Sequence, residues 1–212
     1  MTAGPMAAGP ITTLAVVHAG LGSPSSTQLL ATRLAEATQN EVARRQAPDL
    51  EVRSVHLRDV ARDIADNLVT GFPSARLREV VESVTGADAV IAVTPTFNAS
   101  YSGLFKSFVD VLEPGSLAGK PVLIGATGGT ERHSLVLDHA LRPLFAYLRT
   151  IVVPTGVYAA SSDWGAEGLP GRIDRAAGEL ADLLVGRAAP TPTPASASIE
   201  DFVPFDQLLA GR

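Results

Sequence analysis

The chain has 212 residues, a formal net charge of −5 and a hydrophobic content of 46%. This length and apolar content predict one substantial hydrophobic core, with little room for a second domain. Because the 17 Lys and Arg residues form no basic cluster, we expect neither nucleic acid nor a membrane surface as a partner. The absence of Cys excludes disulfides, thiolate metal sites and cysteine nucleophiles. With no basic and apolar leader and no run of ~18 apolar residues, the sequence predicts a cytoplasmic protein.

The first half of the chain alternates between strand and helix patterns. Residues 1–10 are small and rich in Gly and Pro, which predicts a disordered N-terminus before a domain spanning residues 11–187. We expect the first strand at Thr13–His18, then a loop rich in Gly and Ser, and then a helix with leucines at helical spacing. A second strand is predicted at Val52–Leu57, and helices follow at about 58–68 and 74–84.

The most informative segment is the loop that follows the third predicted strand, Ala89–Val93. An apolar run without alternation is typical of a parallel strand that is covered on both faces. The loop after it leaves the carboxyl edge of the sheet, where open α/β sheets bind their ligands. Small side chains at Ala99, Ser100 and Gly103 would let a flat ring lie against the backbone. The loop therefore predicts a site for a planar cofactor.

The second half of the chain continues the alternation. A fourth strand is expected at Lys120–Ala126, and the turn at residues 127–130 opens a helix in which Pro143 should cause a kink or altered hydrogen bonding. A fifth strand starts at Ile151, and the last helix spans Gly171–Val185. Five alternations of strand and helix predict an α/β domain with a doubly wound, five-stranded parallel sheet and right-handed crossovers.

The C-terminal residues differ in composition from the predicted domain. Residues 188–198 contain only Ala, Pro, Thr and Ser, which predicts a linker that cannot form a core of its own. Residues 199–212 carry an apolar cluster, and we expect this segment to dock on the domain or on a neighbouring subunit.

Small and hydroxylated residues follow strands one, three and four. We call these segments the first, second and third loop. If the strand order is 2-1-3-4-5, the loops after strands one and three are neighbours where the winding of the sheet reverses. Ser25 and Thr27 lie at a helix start, where free N–H groups and the helix dipole favour a phosphate, although either residue can equally be a helix cap. The glycines at positions 20, 22, 128 and 129 suit close approach of a ligand, and they suit tight turns equally well. Each loop alone is weak evidence, and together they predict one ligand site.

Three segments of the chain resemble the NAD(P)H-dependent FMN reductases of flavodoxin-like fold. They are Gly22–Thr27, Thr94–Gly103 and Ala126–Gly129, and the resemblance extends from about Thr13 to Ala189. The chain especially resembles the reductases that supply reduced flavin to luciferase-like monooxygenases. The resemblance implies a flavodoxin-like sheet of order 2-1-3-4-5, FMN as cofactor and NADPH or NADH as hydride donor. We expect a homodimer or homotetramer with a flavin-dependent monooxygenase as a possible partner.

Carried over position by position, the resemblance implies three groups of residues around FMN. The phosphate would be bound by the hydroxylated residues of the first loop, Ser23, Ser25, Ser26 and Thr27. The isoalloxazine and ribityl would lie along the second loop, at Pro95, Thr96, Phe97, Asn98, Ala99, Ser100 and Tyr101. The far edge of the ring would approach Thr127, Gly128 and Gly129. Many relatives carry an Arg in the first loop, whereas residues 19–28 hold no basic side chain here, which implies an FMN that binds for turnover and can be exchanged.

The implied reaction is hydride transfer from nicotinamide to flavin, for which the protein stacks the two rings and excludes water. We therefore predict no general acid, no general base and no metal ligand; His133 and His139, for example, do not share a helix face. Three alternatives stay open. A quinone or azo-compound reductase would differ in its acceptor, and a flavodoxin-type electron carrier would keep its flavin. A non-catalytic binding module would be supported by the apolar C-terminal segment alone.

Overall fold

The computed structural model describes residues 12–186, so the predictions for both ends of the chain lie outside the described residues. The strands are β1 (Thr12–His18), β2 (Leu50–His56), β3 (Ala89–Phe97), β4 (Ser100–Tyr101), β5 (Pro121–Gly128), β6 (Ile151–Val152) and β7 (Val157–Ala160). The α-helices are α1 (Ser26–Arg44), α2 (Ala61–Thr70), α3 (Ala75–Thr85), α4 (Gly103–Asp110), α5 (Arg142–Tyr147) and α6 (Gly168–Gly186). Within residues 12–186, no helix combines the length and the hydropathy needed to cross a membrane.

The central sheet has the order β2-β1-β3-β5, and β6 and β7 share the edge beside β5. All of these strands are parallel; on β1, for example, Val16 lies opposite Ser54 of β2 and opposite Ile91 of β3. The predicted order 2-1-3-4-5 is therefore confirmed, because β5 is the fourth parallel strand and β6 with β7 forms the fifth. This order makes β1 and β3 neighbours and brings the loops after them together.

The fifth parallel strand is in two pieces because residues 153–156 form a bulge in its pairing with β5. Val122 of β5 faces Val152 and Gly125 faces Val157, so four residues on the edge oppose two residues of β5. Pro154 lies in this bulge and has no N–H to donate to the ladder. The two-residue strand β4 is antiparallel to the end of β3. Apolar periodicity predicts neither feature, since both involve only a few residues.

Helices cover both faces of the sheet, which explains why the central strands carry long apolar runs. Leu14 and Val16 of β1 lie in one core cluster with residues of α1 and α6. Ala15 and Val17 point the other way, into a cluster with residues of α2, α3, α4 and α5. All four side chains are at most 2% exposed. Because complete burial of a Val or Leu side chain is worth about 1.5–3 kcal/mol, these strands contribute strongly to the free energy of folding.

The segment after β5 differs from its prediction of one helix starting near residue 130. It contains a 3-10 turn at Glu131–His133, a π-helical turn at Leu137–Leu141 and the short helix α5. Pro143 provides the physical reason, because it has no N–H and a regular α-helical turn would press its ring against a preceding carbonyl. The wider turn just before α5 is the altered hydrogen bonding that the sequence predicts at this proline.

Candidate functional site

A cleft of about 290 Å³ opens at the carboxyl edge of the sheet. The cleft lies among the ends of four of the parallel strands, β1, β3, β5 and β7, and the loops after them. The residues that line it are Leu21, Gly22, Pro24, Ser25, Ser26, Thr27, Pro95, Thr96, Phe97, Thr127, Gly128, Gly129 and Ser161. None of these described lining residues has an ionisable side chain, so the cleft can recognise a ligand through backbone groups, hydroxyls and packing.

The cleft brings together most of the residues that the sequence predicts for the site. These are Ser25, Ser26, Thr27, Pro95, Thr96, Phe97, Thr127, Gly128 and Gly129. Five other predicted residues do not line it, namely Ser23, Asn98, Ala99, Ser100 and Tyr101. Their contact with a ligand stays a prediction.

The first loop ends at the N-terminus of α1, a helix of 19 residues. Ser25 is its N-cap, with Oγ accepting a hydrogen bond from the Gln28 N–H at 3.2 Å. The N–H groups of Ser26 and Thr27 donate no hydrogen bond within the described residues. A Cβ at Gly20 would lie 2.1 Å from the Oγ of Ser25, so a side chain there would displace this cap. With no acidic residue in the first turn, the helix offers free donors and the positive end of its dipole to an anion.

A buried hydroxyl pair joins the first loop to the third. Thr27 Oγ1 and Thr127 Oγ1 lie 2.8 Å apart, and both residues are 3% exposed. Thr127 also faces Pro95 across the ladder between β3 and β5. The two threonines therefore lie at the base of the cleft and hold its loops at a fixed spacing.

The second loop is a tight hairpin. Strand β3 continues to Phe97, which pairs with Ser100 of β4. Asn98 and Ala99 at the tip have φ angles of 48° and 65°, the left-handed conformation that two-residue hairpin turns require. For an Ala this conformation costs roughly 1 kcal/mol or more, which the surrounding hairpin must offset. Phe97 is 46% exposed and places its ring at the rim of the cleft.

The base of this hairpin is anchored to α4. The Ser102 N–H donates to Thr94 Oγ1 at 3.0 Å, and Ser102 Oγ accepts a hydrogen bond from the Phe105 N–H as the N-cap of α4. The ring of Tyr101 packs against that of Phe105, with 6.2 Å between their centroids. This contact fixes one side of the Tyr101 ring, and its predicted position beside the flavin stays a prediction.

Tyr158 of β7 anchors the third loop through a hydrogen bond. The Tyr158 hydroxyl donates to the carbonyl of Thr130 at 2.7 Å, and the residue is 6% exposed. A Cβ at Gly128 would lie 2.1 Å from that hydroxyl oxygen, whereas a Cβ at Gly129 would meet no atom within 4 Å. Gly128 is thus required by the packing of the protein, whereas a side chain at Gly129, which lines the cleft, would find open space.

Two histidines lie side by side just before the first loop. His18 ends β1 and faces His56 of β2, with 4.0 Å between the ring centroids. His18 is 3% exposed, and neither of its ring nitrogens has a hydrogen-bond partner within the described residues. Burial, reinforced by His56 and opposed by Asp59, lowers the pKa of His18 from 6.5 to about 4. Among residues 12–186, no group of three or more His, Asp or Glu side chains is placed to hold a metal ion.

Comparison with known proteins identifies the family of the chain. The family model described as NADPH-dependent FMN reductase matches residues 12–165. The chain belongs to this FMN reductase family. These matches confirm three predictions from the sequence: the family, the oxidoreductase class, and FMN and a nicotinamide as cofactors.

Two FMN reductases and one solved structure of an oxidoreductase are similar to most of the described chain. An FMN reductase (NADPH) of Pseudomonas aeruginosa is 38% identical over 68% of this chain and 80% of its own length. An NADH-dependent FMN reductase SfnF of Pseudomonas putida is 37% identical over 68% of this chain and 75% of its own length. A solved structure of an oxidoreductase from Corynebacterium diphtheriae has a TM-score of 0.81 and 44% identity, and the match covers 84% of this chain and 99% of that one.

Four residues line the cleft of this FMN reductase without being predicted as site residues. They are Leu21, Gly22, Pro24 and Ser161. The first three belong to the first loop, where the sequence indicates only that Gly22 suits close approach of a ligand and where Leu21 and Pro24 carry no hydroxyl group. Ser161 directly follows the buried strand β7, so a hydroxyl after an apolar run was the available signal.

The hydroxyl pair of this FMN reductase gives a direct test of how the loops are joined. Thr27→Val should lower the free energy of unfolding by about 1–3 kcal/mol, because it leaves the buried hydroxyl of Thr127 without a partner. The double variant Thr27→Val with Thr127→Val should cost less than the sum of the two single changes, since no hydroxyl is then stranded. Urea unfolding of the set measures both quantities.

A matched control for this cycle is Thr38→Val. Thr38 is also buried, but its hydroxyl donates to the backbone carbonyl of Leu34 and shares no partner with Thr127. Thr38→Val and Thr127→Val should therefore be additive. Additivity of Thr27→Val with Thr127→Val as well would show that the pair does not couple the loops.

Proposed function

We propose that this protein binds FMN in the cleft, reduces it with NADPH or NADH, and passes the reduced flavin to a flavin-dependent monooxygenase. We place this activity in the cytoplasm and in a homodimer or homotetramer. One observation carries the assignment of the site: the free N–H groups of Ser26 and Thr27 lie at the dipole end of α1 and line the same cleft as Pro95–Phe97 and Gly129.

The described residues fit the two chemically different parts of FMN. A phosphate is an anion, and the N-terminus of α1 provides N–H donors, the hydroxyl of Ser26 and a positive dipole end. A flat ring needs a lining without bulky or charged groups, and Pro95, Phe97 and Gly129 provide it. The space around Gly129, where a Cβ would meet nothing within 4 Å, is available to such a ring.

The reaction divides between the cofactor and the chain. FMN, when bound, supplies the two-electron redox chemistry. The chain's own residues bind the phosphate, orient the ring along the hairpin at Phe97 and exclude water from the apolar part of the cleft. Since no described lining residue is ionisable, proton transfer from a side chain of the cleft is not part of this proposal.

An exchangeable flavin is favoured over a permanently held one. Leu21 and Phe97, at the cleft, are 47% and 46% exposed, so the described cleft opens to solvent. The first loop brings no basic side chain of its own to the phosphate. Such a site suits a reductase that releases its flavin to a partner enzyme, and it is less suited to a flavodoxin-type carrier.

The test is the oxidation of NADPH and NADH by the purified protein, followed by the loss of nicotinamide absorbance with and without added FMN. We expect oxidation that depends on the FMN concentration, and flavin that separates from the protein on gel filtration. Gly129→Val should abolish FMN-dependent oxidation, because its side chain would enter the cleft. Gly171→Val is the matched control, since Gly171 is an exposed residue of α6 whose Cβ would also meet nothing within 4 Å.

Three other outcomes would each contradict part of the proposal. Flavin that stays with the protein and shows no turnover would indicate an electron carrier. Oxidation that requires a quinone or azo compound and ignores free FMN would indicate a reductase with a different acceptor. Full activity of Gly129→Val would remove the cleft from the reaction.

A further inference from the structure

Arg58 reaches the first loop from the neighbouring loop of the sheet edge. It lies in the 3-10 turn Leu57–Val60 that directly follows β2, the strand paired with β1. Its Nη1 donates a hydrogen bond to the backbone carbonyl of Leu21 at 2.9 Å. Because Leu21 lines the cleft, Arg58 is bonded directly to a residue of the candidate site.

The charge of Arg58 is not neutralised within the described residues. No carboxylate of residues 12–186 forms an ion pair with it, and the bond to Leu21 is the only hydrogen bond of its side chain there. In contrast, Arg45, Arg53 and Arg142 are each paired with an Asp or a Glu. A guanidinium has five N–H donors, so Arg58 keeps both its positive charge and further donors beside the first loop.

The first loop needs positive charge from elsewhere if it is to bind a phosphate well. Residues 19–28 contain no basic residue. The N-terminus of α1 contributes only about half an elementary charge, whereas a phosphate monoester carries about −1.5 to −2 at neutral pH. Within the described part of the chain, Arg58 is the one basic side chain that hydrogen-bonds to this loop.

We infer that Arg58 is the positioning residue by which this chain prefers FMN to flavins that lack a phosphate. It holds the Leu21 carbonyl, and with it the first loop, and it adds a positive charge beside the N-terminus of α1. The inference rests on the proposed FMN site. Because Arg58 is exposed, its effect on the phosphate is partly screened by solvent and weakens as salt is added.

The experiment compares the binding of FMN and of riboflavin, which differ by the phosphate, through quenching of flavin fluorescence. Arg58→Gln should weaken FMN binding about five- to tenfold and riboflavin binding less than about twofold. Arg58→Lys keeps the charge and should keep most of the preference for FMN. Arg62→Gln is the matched control, because Arg62 is an exposed arginine of α2 that also forms no ion pair within the described residues.

Salt provides a second readout that a merely structural role would not change. Added salt should weaken FMN binding to the wild-type protein more than to Arg58→Gln. Equal losses of FMN and riboflavin affinity in Arg58→Gln would show that Arg58 only supports the loop. Unchanged affinities would show that its charge does not act on the phosphate. Either result would overturn the inference. A wild-type protein that binds FMN no better than riboflavin would contradict the proposed phosphate site itself, and this inference with it.

Discussion

Replacing Gly128 with alanine is expected to weaken FMN binding at least about tenfold and to lower the free energy of unfolding by about 1–3 kcal/mol. The new Cβ would lie 2.1 Å from the hydroxyl oxygen of Tyr158, which is far inside contact distance. Tyr158 is 6% exposed and cannot simply turn into solvent, so its hydrogen bond to Thr130 would break and the third loop would shift. A flavin titration and a urea unfolding curve of the same sample measure the two effects.

Two further variants separate the clash from other consequences of removing a glycine. Tyr158→Phe deletes the clashing oxygen, and the next atom, Cζ, would lie 3.2 Å from the new Cβ, so this second substitution should restore much of the loss in the Gly128→Ala background. Gly129→Ala is the matched control for stability, because its Cβ would meet no atom within 4 Å. If Tyr158→Phe gave no recovery, or if Gly129→Ala were equally destabilising, the explanation through Tyr158 would be wrong.

The fold was predictable where the pattern was long and the burial complete. Ala89–Val93 is buried on both faces of the sheet, so its apolar run without alternation identified a central parallel strand. The hairpin at Asn98 and Ala99 and the bulge at residues 153–156 were not predictable in the same way. They depend on backbone conformation and on strand pairing with β3 and β5, which no local run of residue types encodes.

The features of the site were predictable where they depend on residues that are neighbours in the sequence. Ser25 and Thr27 signal a helix N-terminus in the sequence itself, and the free N–H groups follow from that geometry alone. Ser161 joins the cleft only because the bulge sets where the fifth strand ends, and the contact of Arg58 with Leu21 spans 37 residues. The packing of Tyr101 against Phe105 of α4 also depends on the folded structure, and the contact of Tyr101 with flavin stays a prediction.

Acid is expected to destabilise this protein through His18, by up to about 3 kcal/mol between about pH 6.5 and about pH 4. Burial keeps the folded-state pKa of His18 at about 4, below its ordinary value of 6.5. Between these values the unfolded chain binds a proton that the folded chain does not, so unfolding becomes more favourable as the pH falls. The full contribution is present above about pH 6.5 and is lost as the pH approaches about 4.

The measurement is the difference in free energy of unfolding between the wild-type protein and His18→Leu, followed by urea unfolding across this pH range. Leu is apolar, similar in size and without a proton to bind, so the difference isolates His18 from the many carboxylates that also titrate in acid. We expect the wild-type protein to lose stability relative to His18→Leu as the pH falls.

His133→Leu removes an exposed histidine in the 3-10 turn after β5 and serves as the matched control. A difference between wild type and His18→Leu that stays constant with pH would show that His18 takes up its proton equally well in the folded protein. Its burial beside His56 would then not oppose the charge.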